Sequence, residues 1–270
     1  NIKTALIKDQ LYFGASGLFD AREGYYTNEY NQLPYDRQRG FSGNYFLKYL
    51  LNSKWTITLN TKYRNQENKG AFPLVFGVDE AFNNPYVLNQ NANNKMKDKT
   101  INSSLSVVFN GSKFQFSSQT AYQSNYRFYT NPIDGDFSPI DAISIVNNYG
   151  KDWNNIKAWT QDFKLNSNNN NSPLKWTAGM YLFAQNAPTK QGTHFGTDAY
   201  LMGIDGSNFT LINSTTTKRK GIAAYGQATY AINNKLNITA GVRNDFEQVE
   251  QSVSGGFSSD LDKAIYENQG

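Results

Sequence analysis

Apolar and polar residues alternate with a period of two in tandem segments from about Asp9 to Gln251. Because successive side chains of a β-strand point to opposite faces, this period predicts strands rather than helices. Segment 54–64 shows the pattern clearly, and segments 113–130 and 235–250 repeat it. In segment 54–64, one predicted face carries Trp55, Ile57, Leu59 and Tyr63, and the other carries Thr56, Thr58, Asn60, Lys62 and Arg64.

The pattern predicts nine strands whose connections are alternately tight and long. The tight connections contain Asn and Gly, which tolerate the positive φ of hairpin turns. We predict strands near residues 9–29, 38–51, 54–66, 99–110, 113–130, 154–166, 174–187, 219–232 and 235–250. The tight connections are 51–54, 110–113, 166–173 and 232–235, and the longer ones are 30–37, 67–98, 131–153, 188–218 and the tail from 251.

This alternation of connections favours a transmembrane, antiparallel, up-and-down β-barrel. In an up-and-down sheet, alternate connections lie at the same end, so one end would carry the tight turns and the other the long loops. Outer-membrane barrels have this asymmetry, with short periplasmic turns and long extracellular loops. A soluble β-sandwich also alternates but turns its apolar faces inward, so the period by itself leaves both architectures open.

Composition narrows the functional classes. No stretch approaches the roughly 18–20 apolar residues of a membrane helix. The aromatic content is 15%, and Trp55 and Trp176 follow tight turns, as expected of an aromatic girdle at a membrane interface. The net charge of +4 is small and dispersed, so it does not indicate nucleic-acid binding. The absence of cysteine excludes disulfides and thiolate metal sites.

Candidate site residues fall into two groups. His194 and tyrosines of the long connections are candidate ligand-binding residues, and charged residues of the polar strand faces are candidate lumen-facing residues. One histidine supports no catalytic arrangement, so we expect no enzyme, no cofactor and no metal site. The ligand-binding candidates are His194, Tyr86, Tyr149 and Tyr200, and the lumen-facing candidates are Arg64, Arg127, Asp162, Arg243 and Asp245.

Asp134, Asp136 and Asp141 also lie close together in a predicted long connection. They lack the glycine turn and the terminal glutamate of a recognisable calcium-binding loop. We therefore interpret them as an acidic loop.

Two hairpin sequences resemble TonB-dependent outer-membrane receptors. Segments 159–165 (WTQDFKL) and 172–181 (SPLKWTAGMY) resemble one barrel hairpin of that family. Segments 224–232 (AYGQATYAI) and 236–243 (LNITAGVR) look like the next hairpin. The opening segments 8–17 (KDQLYFGASG) and 22–26 (REGYY) are similar to the first barrel strand after the plug domain.

This resemblance implies a receptor of the Gram-negative outer membrane that takes up a scarce ligand, commonly a ferric siderophore. In the family, a plug domain fills a barrel of about 22 strands. TonB supplies the force through an N-terminal box and the plug. Outer-membrane lipid, TonB, a small-molecule ligand and other outer-membrane proteins are therefore the expected partners, with no nucleic acid.

The predicted strand number indicates an incomplete barrel. Nine strands leave the chain ends on opposite sides, whereas single-chain bacterial barrels normally have an even number. We therefore expect residues 1–270 to form a partial barrel domain, the N-terminal portion of a larger barrel, with the plug domain and the remaining strands absent. Two other functions remain open at this point: a passive porin or structural barrel, and an extracellular β-rich adhesin.

Overall fold

The computed structural model describes residues 1–69, 77–92, 94–136, 140–169 and 172–259. Two short helices, α1 (Gly77–Asn83) and a 3-10 helix (Ala199–Met202), accompany the strands. The strands are β1 (Ile2–Ile7), β2 (Leu11–Arg22), β3 (Thr27–Asn28), β4 (Leu33–Pro34), β5 (Gln38–Leu50), β6 (Trp55–Lys69), β7 (Val87–Leu88), β8 (Lys95–Asn110), β9 (Phe114–Tyr129), β10 (Ile133–Asp134), β11 (Ile143–Val146), β12 (Asn155–Ser167), β13 (Leu174–Phe195), β14 (Phe209–Asn233) and β15 (Leu236–Ser258).

Twelve strands form one antiparallel sheet. Ten of them follow each other as an up-and-down meander, in the order β1, β2, β5, β6, β8, β9, β12, β13, β14 and β15. β10 and β11 extend the sheet beside the far part of β13, and β4, β3 and β7 form a separate small sheet. The predicted all-β, antiparallel, up-and-down fold is therefore confirmed.

The two ends of the meander differ. Connections 8–10, 51–54, 111–113, 168–173 and 234–235 lie at one end, which we call the turn side. The described parts of connections 23–37, 70–94, 130–154 and 196–208 lie at the other end, the loop side. Among the described hydrophobic residues that are buried, all except Ala223 lie at the loop side. The packed core thus supports the loops rather than filling a space between two sheets.

The strand register divides the meander into two faces. One, the polar face, carries Lys62 opposite Asn102, which in turn lies opposite Gln123. The other, the apolar face, carries Leu59 opposite Leu105. Much of the apolar face is exposed; Trp159 is 54% exposed and Val242 is 75% exposed. In the described ranges, no helix is both long and apolar enough to cross a membrane.

The predicted first strand, 9–29, is wrong. The chain forms β1, turns at Asp9, whose φ is 56°, and then forms β2 as far as Arg22. Beyond β2, the carboxylate of Asp36 accepts hydrogen bonds from the backbone N–H groups of Tyr25 and Tyr26, which ends the ladder. With β1 included, the described meander has ten strands, so the expected odd number is also wrong.

The predicted connection 188–218 is also too long. β13 and β14 pair continuously as far as Phe195 opposite Phe209, which leaves residues 196–208 as the loop. Threonines at 215–217 suit this extended ladder, because β-branched residues favour strands. The predicted connection 131–153 contains β10 and β11. The predicted connection 67–98 begins inside β6 and ends inside β8. The predicted tail from 251 begins inside β15. Of the predicted connections, residues 70–76, 93, 137–139, 170, 171 and 260–270 lie outside the described residues.

Candidate functional site

The register places all five predicted lumen-facing charges on the polar face. Arg64 lies opposite Thr100, which lies opposite Asn125. Arg127 lies two residues along β9 from Asn125, on the same face. Asp162 lies opposite Tyr181, Tyr181 opposite Ala223, and Ala223 opposite Asp245. Arg243, two residues before Asp245, shares that face.

Asp98 and Arg127 form the most enclosed ion pair of this face. An Nη2 atom of Arg127 lies 2.6 Å from Oδ2 of Asp98, and its Nε atom donates to the same oxygen at 3.1 Å. Asn125 donates to Oδ1 of Asp98 at 2.9 Å. The Asp98 side chain is 6% exposed, so its carboxylate contacts the sheet and almost no solvent. The Arg127 side chain is 57% exposed.

A second set of polar contacts joins β12, β14 and β15. Arg243 and Asp245 pair at 2.8 Å within β15, and the Arg243 guanidinium lies 5.7 Å from the centre of the Tyr225 ring. The Tyr225 hydroxyl donates to Oδ1 of Asp162 at 3.1 Å. Three of the predicted charges are therefore linked through one tyrosine.

The polar face also has an open, basic concavity of about 510 Å³ across β2, β5, β6 and β8. Its lining includes Lys62, Arg64 and Asn44 and contains no carboxylate. Oδ1 of Asn44 is buried and has no hydrogen-bond partner among the described residues. Lys62, Arg64 and Asn44 could therefore bind an anionic or carbonyl-rich surface in this concavity.

A group of three tyrosines, the aromatic platform, lies at the loop side and consists of the exposed Tyr25 and Tyr86 and the half-buried Tyr26. Tyr26 and Tyr86 meet edge to face at 5.7 Å. Tyr25 is 64% exposed and Tyr86 is 61% exposed. The guanidinium of Arg22 lies 4.5 Å from the centre of the Tyr25 ring, which gives the platform a cationic edge.

Asp36 fixes the geometry of the aromatic platform. Its Oδ1 atom accepts the N–H groups of Tyr25 at 2.6 Å and Tyr26 at 2.9 Å, and its Oδ2 atom pairs with Arg22 at 2.8 Å. Gly24 is required here, because a Cβ at that position would lie 2.9 Å from the backbone nitrogen of Asp36. The Asp36 carboxylate thus fixes the backbone of two tyrosines and the guanidinium of Arg22.

A buried polar layer supports the platform from below. The Asn28 amide accepts the N–H of Gln90 at 2.9 Å and donates to the Gln90 carbonyl at 2.7 Å. The Tyr35 hydroxyl donates to the side-chain oxygen of Gln90. Asn28 and Gln90 are 2% and 1% exposed, so they hold β3 and β7 together without contacting solvent.

Two predicted ligand-binding residues, Tyr149 and His194, are buried. Tyr149 is 1% exposed and packs against Val146, while the Lys190 ammonium lies 4.4 Å from the centre of its ring. Burial raises the pKa of Tyr149 to about 12, which keeps the phenol neutral. Tyr149 thus serves the packing of the loop side.

His194 lies inside β13, beyond the part of that strand that pairs with β12, rather than in a loop. It is 7% exposed, and its Nδ1 atom lies 3.0 Å from the Thr210 hydroxyl. Burial lowers the pKa of His194, although nearby Asp141 opposes this effect. A buried imidazole that already contacts the Thr210 hydroxyl does not favour direct ligand contact.

Tyr86 and Tyr200 are the exposed members of the predicted set. Tyr86 belongs to the aromatic platform, and Tyr200 lies on the 3-10 helix with 66% exposure. The sequence analysis missed Tyr25, Tyr26 and Arg22, because segment 9–29 was interpreted as one continuous strand. The local signal was Gly24 before two tyrosines, a break in the alternation.

The loop aspartates act as backbone acceptors. Asp134 accepts the N–H groups of Asn91 and Asp136, each at 3.0 Å. Asp136 accepts those of Ala142 at 2.8 Å and Ile143 at 2.6 Å. Across the described ranges, no group of three or more His, Cys, Asp or Glu side chains is arranged to hold a metal ion.

Comparison with known proteins places this arrangement in a fold family. No protein-family model matches the sequence. The structure is similar to the ferric yersiniabactin uptake receptor FyuA from Yersinia pestis, with a TM-score of 0.68 and 13% sequence identity, over 95% of this chain. The fold is that of a receptor barrel.

The ferric citrate transporter FecA, in its unliganded form, gives a TM-score of 0.50 and 11% identity over 94% of this chain. The chain spans 39% of the length of FyuA and 39% of the length of FecA. The resemblance to TonB-dependent receptors that the hairpins predicted is thus confirmed at the level of the receptor-barrel fold. In that fold, the aromatic platform lies among the loops, and the Asp98–Arg127 and Arg243–Asp245 ion pairs lie on the polar face of the wall.

Proposed function

We propose that this chain forms part of the wall of an outer-membrane receptor for TonB-dependent uptake of a scarce ligand, most simply an iron–siderophore complex. The observation that carries the proposal is the receptor-barrel fold, matched over 95% of the chain by an iron-complex uptake receptor. The protein would lie in the outer membrane of a Gram-negative bacterium. TonB and a plug domain would be its partners, and it would catalyse no reaction.

The two faces of the sheet support this placement. An exposed apolar face suits lipid, and a polar face with ion pairs suits an aqueous or plugged lumen. The loop side would then face the outside of the cell and the turn side the periplasm. Every strand of the meander except β1 and β15 has a partner on each side, as a strand in a bilayer requires.

The aromatic platform is the part of the loop side that we assign to ligand contact. Tyr25 and Tyr86 are exposed, Asp36 fixes the backbone at Tyr25 and Tyr26, and Arg22 lies against the Tyr25 ring, so the platform offers stacking surface and one cation. An anionic complex with aromatic or chelating groups matches this chemistry. Tyr200, Tyr149 and His194 share no described contact with the platform, and Tyr149 and His194 are buried.

Uptake by the full-length receptor tests the function. A strain that lacks the gene is supplied with radioactive iron bound to a panel of siderophores, with and without TonB. We expect one ligand class to be taken up in a manner that needs both the receptor and TonB. Fast, non-selective swelling of liposomes containing the receptor would indicate a porin instead. Recovery of the full-length protein in the soluble fraction would indicate an adhesin.

Tyrosine variants test the ligand contact. Tyr25→Ala and Tyr86→Ala should each weaken ligand binding by about 1 kcal/mol, roughly the value of an aromatic contact. Tyr200→Ala removes an equally exposed tyrosine from another loop and should leave the affinity unchanged. A fluorescence titration of each variant with the ligand identified by uptake makes the measurement. The reverse pattern, with loss in Tyr200→Ala alone, would move the ligand contact to the loop 196–208.

A further inference from the structure

Lysines lie along the loop-side margin of the apolar face and face outward from the sheet. Lys157 on β12 lies opposite Asn186 on β13, which lies opposite Lys218 on β14. With Lys151 and Trp153, they line a groove of about 450 Å³, which we call the lysine groove. We infer that this groove binds the phosphate groups of lipids in the outer leaflet. The inference rests on the membrane placement proposed above.

The lysine groove adjoins the exposed apolar surface directly. β12 runs from the loop side to the turn side, so Trp159 follows Lys157 on the same face, about 7 Å further toward the turn side. On β14, Lys218 and Lys220 precede the exposed Ile222 in the same way. The ammonium groups therefore lie where an apolar, lipid-compatible face gives way to a polar one. Lipid headgroups occupy that level of a membrane.

Basic residues on this face occur at one end of the strands. On β12, β13 and β14, the apolar face carries Lys157, Lys190, Lys218 and Lys220, and all lie on the loop side of the row formed by Gln161, Leu182 and Ile222. The turn-side part of the same face carries Leu165, Trp176 and Tyr230 instead. Lysines that only needed solvent could lie at either end of the strands. A phosphate-rich lipid layer on one side of the membrane would favour lysines at one end only.

The cationic capacity of the lysine groove is not used within the described residues. No described salt bridge involves Lys151, Lys157 or Lys218. Asp152 also lines the groove, and Glu250 lies opposite Lys218 on β15, so the three lysines outnumber the two nearby carboxylates. Lys190 differs, because its ammonium lies over the Tyr149 and Trp153 rings. A phosphate monoester would supply the missing negative charge.

Lysine suits such a site for two physical reasons. Its alkyl stem lies along apolar surface while the ammonium reaches the headgroup level. Each lysine near an anionic membrane surface contributes about 1 kcal/mol of attraction. Trp153 and the exposed Trp159 add aromatic surface at the same boundary, where indole rings are favoured. The combination favours a phosphorylated lipid over a soluble anion.

Lipid retention by the purified, full-length receptor tests the inference. Receptor in neutral detergent micelles is titrated with bisphosphorylated lipid A or with its dephosphorylated counterpart, and native mass spectrometry counts the lipids retained. The test variant is Lys157→Gln with Lys218→Gln. The matched control is Lys164→Gln with Lys175→Gln, which removes two lysines from β12 and β13 on the polar face. We expect the test variant to bind phosphorylated lipid about tenfold more weakly or worse, and the control to bind as the wild type does.

Three results would overturn the inference: equal retention by the test variant, equal retention of dephosphorylated lipid, and displacement of the lipid by excess inorganic phosphate. The last would indicate a free-anion site. Lys157→Arg with Lys218→Arg should restore binding, which separates charge from misfolding. The titration contains neither TonB nor the transported ligand. A wild-type receptor that takes up its ligand but shows no phosphate-dependent lipid retention would therefore reject the lipid site alone, whereas a receptor that retains the lipid but takes up no ligand would reject the uptake function alone.

Discussion

Three glycines of the polar face, Gly14, Gly179 and Gly221, lie opposite aromatic rings in the adjacent strand. Gly14 lies opposite Phe46, and Gly179 lies opposite Tyr225. A Cβ at Gly179 would meet the Tyr225 ring and would lie 2.7 Å from the carbonyl oxygen of Phe163. The Tyr225 ring covers the backbone of Gly179, which has no side chain of its own. In this position the Tyr225 hydroxyl can donate its hydrogen bond to Asp162.

Gly179→Ala should therefore destabilise the barrel by about 1–3 kcal/mol, the usual range for overpacking. Gly226→Ala on β14 is the matched control, since its nearest neighbour would be the Thr177 carbonyl oxygen at 3.8 Å. Urea unfolding of the full-length receptor in detergent, followed by tryptophan fluorescence, gives both midpoints. Equal midpoints for the two variants would contradict the close approach of Tyr225 and Phe163.

Burial separates the two arginine ion pairs of the polar face. Arg127→Gln leaves the Asp98 carboxylate, which is 6% exposed, with neutral hydrogen-bond donors only. Because a buried charge loses its partner, the free energy of unfolding should fall by about 2 kcal/mol. Arg243→Gln is the control: both side chains of that pair are more than half exposed, so little change is expected. The same urea unfolding compares them. A larger loss in Arg243→Gln would contradict the assigned burial.

At the scale of elements, carboxylates organise the loop side. Asp36 ends β2 and fixes the aromatic platform, while Asp134 and Asp136 join β10 and β11 to the segment at Asn91. Irregular backbone needs such acceptors, because its N–H groups lack ladder partners. The loops of the described residues are thus built structures with their own core.

Asp134 makes this region sensitive to pH. Burial, with a contribution from the Asp136 charge, raises the pKa of Asp134 to about 6. The unfolded value is about 3.9, so the folded loop holds the proton more tightly and its stability should fall as the pH rises from about 4 to about 6. We expect weaker hydrogen-exchange protection of the Gly135 amide, which donates to Ile143, at pH 7 than at pH 5 after correction for intrinsic rates.

Asp134→Asn supplies the control for this pH dependence. The variant keeps one acceptor and loses the titration, so its protection should be independent of pH over the same interval. An unchanged pH dependence in the variant would assign the effect to another group.

At the scale of the whole molecule, the two-faced sheet supports the proposed membrane placement. An exposed apolar face is stable in lipid, whereas a soluble protein would have to cover it. The proposed functions of the lysine groove and the aromatic platform depend on this placement. It puts the groove, at the margin of the apolar face, beside lipid headgroups, and the platform, among the loops, on the outer side of the membrane.

Ile222→Lys tests the placement. Ile222 is 45% exposed on the apolar face, about 7 Å inside Lys220, where the cost of a lysine facing lipid lies between about 0–1 kcal/mol at the interface and about 2–4 kcal/mol at mid-membrane. Gln227→Lys puts the same charge on the polar face of the same strand and should be tolerated. The yield of heat-modifiable receptor in the outer-membrane fraction measures both. A soluble protein would tolerate Ile222→Lys equally well, and that result would reject the membrane placement.

Much of the fold was accessible from local pattern. The alternation in 54–64 and the turn at 51–54 predicted β6 and its hairpin with β5, and the period-two pattern predicted that the five charges share one face, although their contact with a lumen stays a prediction. The error at 9–29 arose because a run of alternating residues does not show where a ladder stops; the Asp36 carboxylate, eleven residues beyond Tyr25, ends it. Loop 188–218 was misjudged because its threonines alternate weakly.

The sequence by itself determined the period, the hairpins and the sides of each strand, because these depend on neighbours along the chain. Tertiary structure alone decided that His194 and Tyr149 are buried, that Tyr86 meets Tyr26, and that Lys157 and Lys218 share one groove. Those outcomes depend on cross-strand register and on packing between loops far apart in sequence. No local pattern encodes such contacts.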